Sequence, residues 1–211
     1  MVNRIIPILF ETPDVVNLSD IPEFEVQPTV FSPVYINFKA ALAVAESRRK
    51  IAGAIADAAA SDFTHVAGIE SGGSYYASVV ADNCDAGLML CRKDKKQYNI
   101  KNRFAGVLPQ EGDRVLLVDD VMSSGNTVAS AVDELTARGC EVEILVGFSY
   151  CWENQIARNL GVNIVALSTS EDLIKYGKEI GAVSGVHAQL IREYVSSEES
   201  RLVQPERHPD D

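Results

Sequence analysis

The chain has 211 residues and a mass of 22.9 kDa, which is enough for one complete hydrophobic core. It is 46% hydrophobic and 23% charged with a mean hydropathy of +0.01, which excludes disordered, collagen-like and fibrous proteins. No apolar run approaches the ~20 residues that a membrane span requires, and the first ten residues lack the pattern of a secretory signal. The sequence therefore predicts a cytoplasmic protein without a membrane partner.

The charge of the chain is unevenly distributed. Its formal net charge is −11, which disfavours nucleic acid as a partner. Six of the seven charged residues between positions 92 and 103 are nevertheless basic. Such a window on an acidic body predicts a site for a polyanion, although a solvated lysine-rich loop would give the same pattern.

The secondary structure is predicted to change along the chain. Five of the eight prolines fall within the first 33 residues, so this region is expected to be an irregular hood of short extended pieces. The alanine-rich segment 39–60 predicts one long helix. After it come predicted strands at 65–69, 87–91, 114–118, 141–148 and 162–167, and predicted helices at 75–83, 127–138, 153–159 and 170–180, the last capped by Ser170.

This alternation of strands and helices is typical of an α/β fold, with a central, mostly parallel sheet flanked by helices. We expect a single domain over residues 1–195, with the hood at about 1–37 and the core at about 38–195. The acidic segment 196–211 has few aliphatic residues and predicts a flexible tail. Ligands of such sheets bind beyond the carboxyl ends of the strands.

The most specific motif is R-V-L-L-V-D-D-V-M-S-S-G-N-T-V, from Arg114 to Val128. Its aliphatic run predicts a buried strand, which Asp119 and Asp120 follow directly. Burial of two adjacent carboxylates is unfavourable, so we expect them to face a cleft that supplies partners or a cation. The turn 123–127 combines hydroxyls, an amide and a glycine before a helix, which favours binding of phosphate; simple helix capping is the alternative.

This motif resembles the binding motif for 5-phosphoribosyl 1-diphosphate (PRPP) in the type I phosphoribosyltransferases. The resemblance implies that Asp119 and Asp120 contact the 2′ and 3′ hydroxyls of the ribose. It also implies that the 5′-phosphate is held by the turn residues Ser123, Ser124, Gly125, Asn126 and Thr127.

The order of the other motifs is most similar to that of the orotate phosphoribosyltransferases. The segment S-P-V-Y at 32–35 resembles a motif of their N-terminal region, and 148–150 resembles the end of one of their strands. The segment 68–73 takes the place of their diphosphate-binding loop, and R-K-D-K-K-Q-Y at 92–98 resembles their mobile catalytic loop. From these two loops the resemblance assigns PRPP binding to Ser71, Gly72, Gly73, Arg92, Lys93, Lys96 and Tyr98.

The resemblance implies a homodimeric enzyme that transfers the phosphoribosyl group of PRPP to a base, with the catalytic loop closing over the neighbouring subunit's site. It implies Mg²⁺ as cofactor, bound mainly through PRPP and reaching the carboxylate pair through water. The implied catalytic residues are Asp119, Asp120, Lys96 and Arg92, and the implied base contacts are Tyr35, Ser123 and Tyr150.

Two departures from the family pattern leave the base open. The lysine that relatives carry just before S-P is missing, because positions 27–31 read Q-P-T-V-F, and Asn99 replaces a glycine of the loop. Orotate carries a carboxylate that is best bound by a cation. A purine phosphoribosyltransferase and a PRPP-binding regulator without turnover are therefore alternatives, although the intact loop cations favour an enzyme.

Overall fold

A six-stranded sheet lies at the centre of the computed structural model, which describes residues 5–27, 29–60, 62–93, 103–150 and 153–202. The strands are β1 (Val16–Leu18), β2 (Phe24–Gln27), β3 (Val30–Ser32), β4 (Val34–Ile36), β5 (His65–Ile69), β6 (Gly87–Cys91), β7 (Phe104–Ala105), β8 (Arg114–Met122), β9 (Glu141–Ser149) and β10 (Asn163–Ala166). The central sheet has the order β10-β9-β8-β5-β6-β7, and only the edge strand β7 is antiparallel to its neighbour. The predicted α/β fold is confirmed.

Helices cover both faces of this sheet. They are α1 (Ile6–Glu11), α2 (Phe38–Ala43), α3 (Ala45–Ala58), α4 (Gly72–Cys84), α5 (Asn126–Thr136), α6 (Glu153–Leu160), α7 (Ser170–Glu179) and α8 (Gly185–Leu202). Successive side chains of β8 point to opposite faces, so Leu116 packs into a core with α3, α4, α7 and α8, whereas Leu117 packs into a second core with α5 and α6. Burial on both faces explains why β8 reads as a continuous apolar run.

The N-terminal hood, residues 5–37, consists of short pieces as predicted, but these pieces are ordered into pairs. Helix α1 precedes two small antiparallel sheets, β1 with β4 and β2 with β3. Ile6 and Leu9 are buried in the core that contains α3. The Thr12 hydroxyl also donates a hydrogen bond of 2.7 Å to Ser47 Oγ in α3. The hood is therefore attached to the core by both apolar and polar contacts.

Two predicted helix boundaries are wrong. The segment 39–60 forms two helices, α2 and α3, because the backbone is extended at Val44 and Arg48 satisfies the end of α2 by donating to the Leu42 carbonyl at 2.5 Å. The N-cap of α7 is Thr169, which forms a capping box with Asp172. Ser170 instead is buried and donates to the Tyr150 carbonyl at 3.2 Å.

The C-terminal helix α8 extends into the segment predicted as a tail. It runs to Leu202, so residues 196–202 are helical, and residues 203–211 lie outside the described chain. In the part of the chain that the structure describes, neither α8 nor any other helix is long and apolar enough to cross a membrane. The cytoplasmic location stays a prediction.

Candidate active site

A polar cleft of about 380 Å³ opens where β5 and β8 end. It is lined by Val26, Lys39, Ile69, Glu70, Ser71, Gly72, Lys93 and every residue from 119 to 128. The phosphoribosyl motif, the loop after β5 and the first basic residues after β6 therefore meet at one edge of the sheet. This is the edge at which the sequence predicted a ligand.

The carboxylate pair lies in the last part of β8, which is longer than predicted. The pairing of β8 with β5 ends at Val118, whereas its pairing with β9 continues to Met122. Past Val118 the position beside β8 is therefore taken by the loop after β5 and the start of α4. Asp119 and Asp120 consequently lie beside a loop and a helix start instead of a neighbouring strand. The cleft is the space between these elements.

The two carboxylates have different environments. Asp119 is buried, and its Oδ1 accepts a hydrogen bond of 2.9 Å from the Asp120 backbone N–H, whereas Asp120 is half-buried. Burial raises the pKa of Asp119 well above its ordinary value, and the neighbouring Asp120 charge raises it further. A bound ligand that donates hydrogen bonds or brings a cation would favour the charged form of Asp119.

Two glycines of the predicted diphosphate loop lie in close contact with the end of β8. A methyl group on Gly72 would overlap the Asp120 carboxylate, and one on Gly73 would overlap the Val118 carbonyl oxygen. The side chain of Asp120 thus rests directly on the first turn of α4. Ser71 is exposed in the cleft, so the loop presents its backbone and this hydroxyl to a ligand.

The turn after β8 leads directly into the start of α5. Gly125 has a φ of 75° and is the N-cap of α5, and as a glycine it has no side chain with which to cap this helix. The first amides of α5 and the side chains of Ser123, Asn126 and Thr127 line the cleft together. Backbone N–H groups at the positive end of a helix are suited to phosphate.

The first residues of the basic segment after β6 lie beside the diphosphate loop and are held by Arg103. Arg92 and Lys93 line an open extension of the cleft beside Glu70 and Ser71. Arg103 is buried, and its guanidinium donates to the Lys93 carbonyl at 2.9 Å. Arg103 is thus a structural anchor, a role that the charge pattern could not separate from those of the other cations. Lys96 and Tyr98, which were assigned to PRPP, lie outside the described residues.

The predicted base contacts are not all brought together. Ser123 lines the cleft, whereas Tyr35 lies on the hood with its ring stacked on Phe24. Tyr150 is buried, and its hydroxyl accepts a hydrogen bond of 2.9 Å from the Ile36 N–H. Tyr150 therefore does not line the described cleft; its hydroxyl joins the end of β9 to the hood, and its role as a base contact stays a prediction.

The cleft contains one basic residue that the sequence motifs did not predict. Lys39, the second residue of α2, lines the cleft together with Val26 of the hood. Relatives carry their hood lysine just before S-P, which corresponds to positions 27–31 of this chain. A lysine at the start of an alanine-rich helix, such as Lys39, gives no local signal of ligand binding. Among the described residues, no carboxylate pairs with Lys39.

Comparisons with known proteins agree with this geometry. The family model for the phosphoribosyl transferase domain matches residues 37–163. The orotate phosphoribosyltransferase of Lactococcus lactis subsp. lactis is 28% identical over 191 residues, which is 88% of this chain and 91% of that protein.

Solved structures with the same fold include the orotate phosphoribosyltransferase of Aeropyrum pernix, with a TM-score of 0.72 at 20% identity over 85% of this chain and 99% of that one. They also include the UMP synthase of Leishmania donovani, with a TM-score of 0.73 at 20% identity, where the match covers 92% of this chain but 42% of that one. The expected fold and the resemblance in the motifs are both confirmed. The chain belongs to the phosphoribosyltransferase family.

Proposed function

We propose that the protein transfers the 5-phosphoribosyl group of PRPP to orotate, with release of diphosphate. One observation carries this proposal: the carboxylate pair, the start of α5 and the glycine loop after β5 line a single cleft. Orotate is favoured over other bases because similar proteins over most of the chain are orotate phosphoribosyltransferases.

In the reaction, the bond between C1 of the ribose and the diphosphate oxygen breaks, and its electron pair leaves with diphosphate. A ring nitrogen of the base forms the new bond to C1, and its proton passes to the departing diphosphate or to water. The ribosyl centre is cationic between these events, so no protein nucleophile is required. The protein has to position the two reactants, neutralise the departing diphosphate and exclude water.

The residues of the cleft match these three tasks. Asp119 and Asp120 accept hydrogen bonds from the ribose hydroxyls, and the turn 123–127 holds the 5′-phosphate. Arg92 and Lys93 lie beside the loop 70–73 and offset the charge of diphosphate. Closure of the basic loop, including Lys96 and Tyr98, excludes water.

Mg²⁺ fits the chemistry of this cleft. It prefers oxygen ligands and keeps several of its waters, and the carboxylate oxygens of Asp119 and Asp120 are donors of the required kind. These two residues would hold it through water while PRPP supplies the direct ligands. When bound, it supplies further neutralisation of the diphosphate charge.

The basic loop is proposed to act across a homodimer. It emerges beside apolar side chains that are exposed in the chain, with Leu88 at 43%, Leu90 at 38% and Val107 at 79% exposure. Leu88 and Leu90 alternate on β6 with buried Met89 and Cys91, so one side of this strand is only partly covered within the described chain. An exposed apolar face next to the loop supports a subunit interface there.

The proposed function is tested by measuring diphosphate release from PRPP and Mg²⁺ in separate reactions with orotate, uracil, adenine, guanine, hypoxanthine and xanthine. Turnover with orotate and not with the other bases is expected. Turnover with a purine alone would replace the proposed substrate, and PRPP binding without any turnover would indicate a regulator.

A further inference from the structure

The cleft wall that α2 contributes carries a basic residue. Lys39 is exposed on α2, which starts where the hood ends, and its helix is firmly placed. Asn37 caps α2 by accepting from the Ala40 N–H at 3.3 Å, and the neighbouring Phe38 is 1% exposed. The backbone of Lys39 is therefore held beside the core.

The packing of Phe38 shows at which end of the cleft Lys39 lies. A methyl group on Gly147 of β9 would meet both the Phe38 ring and the Asp120 carbonyl oxygen at 2.8 Å. Lys39 thus lies on the β9 side of the carboxylate pair. Lys93 follows β6, which is separated from β9 by β5 and β8 in the sheet order. The two lysines therefore stand at opposite ends of the cleft.

The phosphate turn lies on the other face of the sheet. Helix α5, which begins at this turn, packs into the core with Leu117, whereas Phe38 packs into the core with Leu116. Given the proposed function, the diphosphate and the 5′-phosphate occupy the ends near Lys93 and α5. The group left to face Lys39 is the base.

We infer that Lys39 determines the specificity of the enzyme by binding an anionic substituent of the base. The inference rests on the proposed function, and it names a carboxylate-bearing base as the substrate class. No described carboxylate pairs with the Lys39 ammonium group, so the ammonium can form a charge-assisted hydrogen bond to such a ligand. A neutral base would leave it without a partner at this wall.

The test compares binding of two nucleotides that differ only by the carboxylate on the base, orotidine 5′-monophosphate and uridine 5′-monophosphate. Dissociation constants are measured by calorimetry for the wild-type protein and for Lys39→Met, Lys39→Arg and Lys50→Met. We expect the wild-type protein and Lys39→Arg to bind the carboxylated nucleotide at least about tenfold more tightly. In Lys39→Met the preference should fall to about twofold or less, with binding of uridine 5′-monophosphate unchanged.

The variant Lys50→Met controls for the loss of one positive charge. Lys50 is exposed on α3, where it pairs with Glu46 one turn away, so its removal should leave the preference at the wild-type value. A wild-type preference retained in Lys39→Met would overturn the inference, even if orotate is turned over. A wild-type protein that neither turns over orotate nor binds either nucleotide would instead overturn the proposed function itself.

Discussion

At the scale of single residues, substitution of Gly72 should affect the position of the Asp120 carboxylate more than the stability of the fold. A methyl group at this position would overlap the Asp120 carboxylate, which is the mobile end of a side chain and can move aside. We predict that Gly72→Ala lowers kcat/KM by about a hundredfold, because it displaces the Asp120 carboxylate that is proposed to bind the ribose hydroxyls, while the unfolding temperature changes little. Steady-state kinetics and thermal unfolding of the same preparation measure both effects.

Gly53 provides the matched control for this substitution. It lies in α3, and a methyl group there meets nothing within 4 Å. Gly53→Ala should keep full activity and raise stability by about 0.5–1 kcal/mol, since alanine is the better helix former. Equal activity of the two variants would show that Asp120 does not need its observed position.

The burial of Asp119 predicts a pH dependence of stability. Its pKa in the folded protein is raised, so the folded state holds this proton more tightly than the unfolded state. The corresponding stability is fully present below the ordinary pKa of 3.8 and is lost as pH rises through the raised value. Asp119→Asn, which can still accept from the Asp120 N–H, should therefore be more stable than the wild-type protein at neutral pH.

Urea unfolding of both proteins over a range of pH, without added metal, measures this difference. The advantage of the Asp119→Asn variant should shrink as pH falls towards 3.8. Asp82→Asn, at an exposed position of α4, should show no comparable trend. A wild-type protein that is the more stable of the two at neutral pH would contradict the proposed burial effect.

Among the elements, the attachment of the hood depends on Tyr150 at the end of β9. Its hydroxyl accepts from the Ile36 N–H at 2.9 Å in a buried environment. Tyr150→Phe leaves this N–H without its partner, and we predict a loss of about 1–3 kcal/mol in the free energy of unfolding. Faster hydrogen exchange at the Ile36 amide would locate the loss in the hood.

Tyr176→Phe is the comparison for this prediction. Tyr176 is half-buried, and its ring contacts Phe10, a contact that phenylalanine preserves. Its substitution should change stability by less than about 0.5 kcal/mol. If both variants unfold alike, the Tyr150 hydroxyl does not secure the hood.

The elements also show what the sequence could and could not predict. Apolar periodicity located the central strands and the helices between them, because each has a face that must be buried. The break at Val44 was not predicted, since neither glycine nor proline marks it. The Arg48 side chain donates to the Leu42 carbonyl across this break, and a helical periodicity of apolar residues does not reveal such a polar contact.

The same distinction applies to the candidate site. The carboxylates and the phosphate turn form one continuous motif, so a single segment was enough to predict them. Lys39 and Arg103 received no individual role from the sequence, because their contacts are with residues that are distant in the chain. The contact of the Tyr150 hydroxyl was not predicted for the same reason, since its partner is 114 residues away in the chain.

At the scale of the whole molecule, positive charge is concentrated in one segment that begins beside the cleft. The chain has a net charge of −11, yet the basic residues of segment 92–103 start beside the loop 70–73. An acidic body repels free polyanions, so the proposed binding of PRPP needs a local source of positive charge beside the cleft. If the loop acts across a homodimer, as proposed above, each site depends on two chains.

Mixed dimers test whether the loop acts across the subunits. Asp120→Asn removes a cleft carboxylate and Lys96→Ala removes a loop cation, so each homodimer should be nearly inactive. In a mixed dimer, one site combines both defects and the other combines intact parts of both chains. Co-expression of the two variants should therefore restore about a quarter of wild-type activity.

A mixture of Asp120→Asn with Gly72→Ala should restore none, because both changes affect the cleft of their own subunit. Absence of recovery in the first mixture as well would place the loop over the site of its own chain.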